Sequence, residues 1–124
     1  MFELTIIVDF AAAHCLPEYP GKCQRLHGHN WKVEVIVQGE KLDKLGMLVD
    51  FGELKRQVNA VIDSLDHHYL NEMESFQHQN PTAENIACYI YEKMAERFPA
   101  AVGIRIQAVK VWESTQAAAM YQPK

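Results

Sequence analysis

From Phe2 to Ala12 every second residue is apolar (Phe2, Leu4, Ile6, Val8, Phe10, Ala12), and the series ends on His14. A two-residue period over that length predicts a strand across 2–14 with one buried face. From His27 the odd positions take over: His27, His29, Trp31, Val33, Val35 and Val37, stopping near Gly39. This predicts a second strand, antiparallel to the first. Residues 15–26 (CLPEYPGKCQRL) hold two prolines and a glycine and read as a long loop. Residues 39–46 read as a turn and Met47–Val49 as a short extended piece. At Asp50 the period changes. Asp50 and Glu53 resemble a capping box, and Phe51, Leu54, Val58, Ile62 and Leu65 keep helical spacing. That pattern breaks at Asp66-His67-His68. Thr82 then reads as the N-cap of a second helix with the stripe Ile86, Ile90, Met94 and Phe98, closed by Pro99. Residues 102–113 predict a third strand, and 117–122 a short fourth one after a turn.

The order β-β-α-α-β-β predicts an α+β fold, an antiparallel sheet with two helices on one face. At 124 residues the chain suits one domain spanning 1–124, too short for two ordinary cores. Such a sheet has open edges, which favours a homo-oligomer. Hydrophobic residues at 48% and charged residues at 23% fit a soluble globular chain. A net charge of -4 gives no broad attraction to nucleic acid or to an anionic membrane. No apolar run approaches the roughly 20 residues that span a bilayer. Glu3 and Asp9 flank the first apolar stretch, which lacks the basic start of a signal peptide. Three cysteines (Cys15, Cys23, Cys88) are an odd number, so free thiols and a cytoplasmic setting are expected.

The candidate chemistry lies in the histidines. His27 and His29 share one side of the second strand, and His14 closes the first on the parity of its apolar side chains. In a hairpin the three imidazoles meet at one end of one face, the donor set of a catalytic zinc site. Gly28 between two of them would keep that end uncrowded. Cys23, four residues before His27, reads as a fourth ligand, as a nucleophile or base activated by Lys22 and Arg25, or as an inert loop thiol. Cys15 faces away from His14, and Cys88 suits buried packing. Asp66 and His67 read as an oriented acid–base pair or as a polar helix end. Glu113 could accept two parallel hydrogen bonds from a guanidine-like ring edge, or face solvent. Thr82 and Glu84 serve equally well as helix cap and first-turn acid. His68 and His78 read as surface residues.

Together, the segments FAAAH (10–14), CQRLHGHNW (23–31), GMLVDFGELK (46–55), LDHHYLN (65–71), NPTAENIA (80–87) and VWES (111–114) resemble the 6-pyruvoyl-tetrahydropterin synthase family along nearly the whole chain. The C-x3-H-G-H spacing is similar to that of its bacterial branch, the 6-carboxytetrahydropterin synthases of queuosine biosynthesis. The pyruvoyl-forming relatives tend to have a longer gap there, and a folate-linked branch has glutamate in place of the cysteine.

The resemblance implies the tunnelling fold (T-fold), with the sheets of three subunits joined into a barrel and two trimers stacked as a hexamer. It implies zinc on His14, His27 and His29, Cys23 as general base, and Asp66 with His67 as the proton-transfer pair. Glu113 would anchor the amino-pyrimidine edge of a pterin, helped by Thr82 and Glu84. The site would lie between subunits, so that Cys23 and the Asp66–His67 pair can come from different chains. The implied reaction is a lyase step on 7,8-dihydroneopterin triphosphate giving the 6-carboxy pterin, acetaldehyde and triphosphate. Formation of the 6-pyruvoyl pterin by the same residues is the nearest rival. A non-catalytic zinc protein with Cys23 as fourth ligand, and a carbonic-anhydrase-like hydratase, are the other readings. Ser114 stands where the family has threonine, and Ala83 where some relatives have a second threonine.

Overall fold

A computed structural model of the chain describes residues 1–99 and 103–124, with the side chain of Cys23 also outside the described set. Two long strands form the spine: β1 (Phe2–His14) and β2 (His27–Gly39). They pair antiparallel without interruption, from Phe2 opposite Gly39 to His14 opposite His27. Helix α1 (Phe51–Ile62), the two-residue strand β3 (His68–Tyr69) and helix α2 (Ala83–Arg97) follow. The chain ends in β4 (Ile104–Ser114) and β5 (Ala117–Tyr121). The sheet order is β3-β1-β2-β4-β5, antiparallel throughout except that β3 runs parallel to β1.

The alternation seen in the sequence becomes the two faces of this sheet. Trp31, Val33, Val35 and Val37 are completely buried, as are Leu54 and Val58 of α1 and Ile86, Ile90 and Met94 of α2. Each such side chain contributes roughly 1.5–3 kcal/mol of transfer free energy. Helix α1 lies on β1, and α2 on β4 and β5. The opposite face carries polar and charged positions, including a Trp112 ring flanked by Lys32 and Lys110 whose Nε1 donates to Glu34. Phe2, Ile7 and Met120 remain exposed. Among the described residues no strand pairs with the outer edge of β1 from Phe2 to Phe10, and β5 leaves the other edge open.

Several expectations change in detail. Asp50 caps α1 by accepting the Glu53 N–H, but the capping box is only half made. The Glu53 carboxylate turns to Arg56 and Gln57, and the Arg56 guanidinium holds its pKa down at about 2. Helix α1 stops at Ile62, where Ser64 and Leu65 bond back three residues and tighten the last turn. Leu65 is still buried, whereas Phe51 is exposed. Met47–Val49 is no strand: the Met47 carbonyl closes a local turn to the Asp43 N–H, and Leu48 packs over Gly39. A Cβ on Gly39 would lie 2.5 Å from a Leu48 methyl, so this strand end suits glycine. Strand β3 and the 3-10 turns Leu70–Glu72 and Glu74–Phe76 carry no period and were not foreseen. The first residue of the expected strand 102–113 lies outside the described residues.

Candidate metal centre

The register of β1 and β2 places His14 opposite His27 and Ala12 opposite His29. All three imidazoles emerge on the core side of the sheet at its one end. Their ring centroids are 4.5, 4.8 and 5.1 Å apart, and one donor atom from each lies within 4.8 Å of the others. Two rings are fixed in the same way. His14 Nδ1 donates to the Pro81 carbonyl at 2.8 Å, and His27 Nδ1 to the Arg25 carbonyl at 2.7 Å. A nitrogen facing a carbonyl carries the ring proton, which leaves Nε2 with a free lone pair. His29 Nε2 is buried and has no hydrogen-bond partner among the described residues. Trp31 forms the floor, edge-on at 5.0 Å from His14 and 5.1 Å from His29, its own Nε1 donating to the Ala12 carbonyl.

Burial favours the neutral form of the His14 and His29 rings. Burial lowers the His14 pKa, and the neighbouring imidazoles lower it further against the opposing pull of Pro81 and Glu113. Burial likewise lowers His29, with Glu113 opposing. Glu113 reaches the rim of the cluster, its carboxylate oxygens 4.0 Å from His14 Nε2 and 3.8 Å from His29 Nε2. Three converging imidazoles, two with Nδ1 tied to carbonyls and one with a buried, unpartnered Nε2, fit a divalent cation with nitrogen affinity such as zinc.

The other expected residues fall in separate places. Thr82 caps α2, its hydroxyl accepting the Asn85 N–H at 3.1 Å, and Glu84 is exposed in the first turn. The structural reading of this pair holds, and it is the carbonyl of Pro81 next door that reaches the cluster. Asp66 accepts the Ala11 N–H at 2.9 Å and sits 2.9 Å from His67 Nδ1. The Ala11 bond, with His67 adding to it, holds the Asp66 carboxyl below the usual carboxylate range. His67 takes a left-handed φ of 59°, and its own N–H donates to the Ala11 carbonyl. Its ring is exposed and lines a groove of about 550 Å³ with Ala11, Ala13, Gly28 and Tyr69. Ala11, Ala13 and Gly28 alternate away from the core, and His29 also borders this groove. Gly28 therefore faces this groove, and a Cβ there would meet only the Ala12 carbonyl at 3.9 Å.

The backbone of Cys23 lies in a short 3-10 turn, Lys22–Gln24, four residues before His27. Cys15 points away from the cluster, its Sγ 3.2 Å from the Tyr69 hydroxyl. Cys88 is only half-buried: its thiol donates to Glu92 on the helix surface, a correction to pure core packing. His68 and His78 are exposed. Sequence reasoning missed the parts played by Pro81 and by Arg25, read there only as a charge beside Cys23, and that of Asn71. The first two act through backbone carbonyls, which leave no mark in side-chain pattern.

The family model for 6-pyruvoyl tetrahydropterin synthase matches residues 3–124. The chain belongs to this family. It is 42% identical over 109 residues to an Archaeoglobus fulgidus protein provisionally named 6-carboxy-5,6,7,8-tetrahydropterin synthase, covering 88% of this chain and 85% of that one. It is 38% identical over 119 residues to the 6-carboxy-5,6,7,8-tetrahydropterin synthase of Synechocystis, covering 91% and 87%. A Pyrococcus furiosus relative, 36% identical over 108 residues and covering 87% and 86%, is named dihydroneopterin monophosphate aldolase. Among solved structures, the 6-pyruvoyl tetrahydropterin synthase of Caenorhabditis elegans superposes with a TM-score of 0.88 at 28% identity, over 99% of this chain and 96% of that one. The fold is therefore the T-fold of that family, and its members are pterin-metabolising lyases. No helix among the described residues is long and apolar enough to cross a membrane.

Proposed function

We propose that this chain is a zinc-dependent lyase that converts 7,8-dihydroneopterin triphosphate into 6-carboxy-5,6,7,8-tetrahydropterin, in the queuosine pathway of the cytoplasm. The observation that carries the reading is the convergence of His14, His27 and His29, with two Nδ1 atoms tied to carbonyls and His29 Nε2 orphaned. These three residues would hold the zinc. Bound there, the ion would acidify side-chain hydroxyls and offset negative charge developing beside them.

The remaining roles belong to the chain. Cys23, as thiolate, takes a proton from the substrate side chain. Asp66 keeps the His67 ring oriented through its 2.9 Å contact, and the pair moves protons as triphosphate leaves. Glu113, carboxylate inward at the rim, accepts the amino-pyrimidine edge of the pterin, helped by Thr82 and Glu84. The three-carbon side chain then divides: one carbon stays as the carboxyl, two leave as acetaldehyde, and water supplies the added oxygen. The His67 ring stands exposed in an open groove, and the complete site is assembled from more than one copy. A homo-oligomer, trimer or hexamer, joined across the open edges, supplies the second copy.

Two family activities compete. The C-x3-H-G-H spacing favours the carboxy product over the pyruvoyl one, and the Pyrococcus relative, named as an aldolase of dihydroneopterin monophosphate, brings in carbon–carbon cleavage alone. Incubating the zinc-loaded protein with dihydroneopterin triphosphate and weighing the pterin product decides among them. The carboxy pterin together with acetaldehyde is expected. A pyruvoyl pterin, or a cleaved pterin without free triphosphate, would overturn the carboxy reading.

A further inference from the structure

We propose that Asn71 is a positioning residue for the metal centre, its side-chain amide standing in for a missing strand beside the end of β1. The inference rests on the zinc reading above. The β1–β2 ladder closes at His14 opposite His27, and β3 pairs with β1 only at Ala12 and Ala13. One residue later, Cys15 has backbone groups with no strand alongside. Asn71 meets both of them: Oδ1 accepts the Cys15 N–H at 2.9 Å, and Nδ2 donates to the Cys15 carbonyl at 2.9 Å. One planar amide thus reads one residue twice, as a neighbouring strand would. The Tyr69 hydroxyl, 3.2 Å from Cys15 Sγ, adds a third point.

The same segment is anchored at its other end, where the Asp66 carboxylate and the His67 N–H take both backbone groups of Ala11. Residues 66–71 are therefore stitched along β1 from Ala11 to Cys15 by side chains at both ends and two strand residues between. His14 lies inside that seam. β2 holds its backbone on one side, Pro81 holds its ring, and Asn71 holds the next residue on the other side. The loop with Pro17 and Pro20 departs just beyond. Ligand placement has to be kept within about 0.5 Å for a working site, and Asn71 is what stops motion of that loop from reaching His14. It also gives His14 and the Asp66–His67 pair a common anchor on one short segment.

The test measures zinc affinity by competition with a chromophoric chelator, and the visible absorption of the cobalt(II)-substituted protein, beside thermal unfolding. Asn71→Ala should weaken zinc binding about 10–100-fold and alter the cobalt bands. Asn71→Asp, which keeps the acceptor for the Cys15 N–H and loses the donor, should fall between that variant and the parent. Val58→Ala, a core truncation in α1, should lower Tm and leave affinity and bands unchanged. Parental affinity and parental cobalt bands in Asn71→Ala would overturn the positioning role and leave the zinc reading standing, whereas a parent chain that binds no zinc would overturn both. If Asn71→Ala does not fold, Asn71→Asp decides: reduced affinity supports the role and unchanged affinity overturns it.

Discussion

His14 shows how much one position can be asked to satisfy. It terminates an apolar series, so its ring is carried into the core, where it is 1% exposed. There an imidazole needs partners, and it has the Pro81 carbonyl on one nitrogen and the donor atoms of His27 and His29 nearby. Parity along two strands made the gathering of His14, His27 and His29 legible in the sequence. The carbonyls that orient the rings were not, since any residue could supply them. His27→Ala should abolish stoichiometric zinc binding while the sheet still forms, as metal analysis beside circular dichroism would show. Cys23→Ala should keep zinc and fold but lose about 10²–10⁴-fold in turnover; turnover near the parental rate would remove the thiol from the chemistry. Asp66 makes a prediction of another kind. Its carboxyl is held below the usual range, chiefly by the Ala11 N–H, so near the ordinary carboxylate pKa the native chain binds fewer protons than the unfolded one. Its stabilisation is complete above that ordinary value and drains away as pH falls through the lowered native one. Urea unfolding across an acid pH series should show Asp66→Asn less stable than the parent at neutral pH, with the gap closing toward the acid end.

Elements with a long period were readable: both spine strands, α2 with its Thr82 cap, and the start of α1 stand where the pattern placed them. Strand β3 was not readable, because two residues have no period and its pairing is set by Ala12 and Ala13, more than fifty positions upstream. What puts it there is partly the left-handed turn at His67. A side chain with a Cβ costs about 1–2 kcal/mol in that conformation. His67→Gly should therefore unfold at higher urea than His67→Ala, by about 1 kcal/mol in stability, although neither can carry a proton. Equal midpoints would mean that the turn relaxes to negative φ once the ring is gone. At the head of α2, Thr82→Ala removes the hydroxyl that accepts the Asn85 N–H and should cost about 1 kcal/mol. Because Pro81 is the preceding residue, the same change should also weaken zinc binding, and a chelator titration would register it separately from Tm.

On the proposed function, the site of the whole molecule is shared between copies. The imidazoles gather where β1 and β2 end, and His67 stands exposed in an open groove that His29 also borders, next to a β1 edge that no strand among the described residues covers from Phe2 to Phe10. On the proposed function, a reaction that uses both groups draws them from different chains, and mixing two variants tests this. His27→Ala and His67→Ala should each be inactive alone. Denatured together in equal amounts and refolded, they should recover about one quarter of the parental activity, the fraction of two-chain sites that receive an intact residue from each side. Mixing without unfolding should recover less, to the extent that subunits exchange slowly. Activity that stays at background after co-refolding, with both variants shown to co-assemble, would place the two groups in one chain's site and remove the shared-site reading.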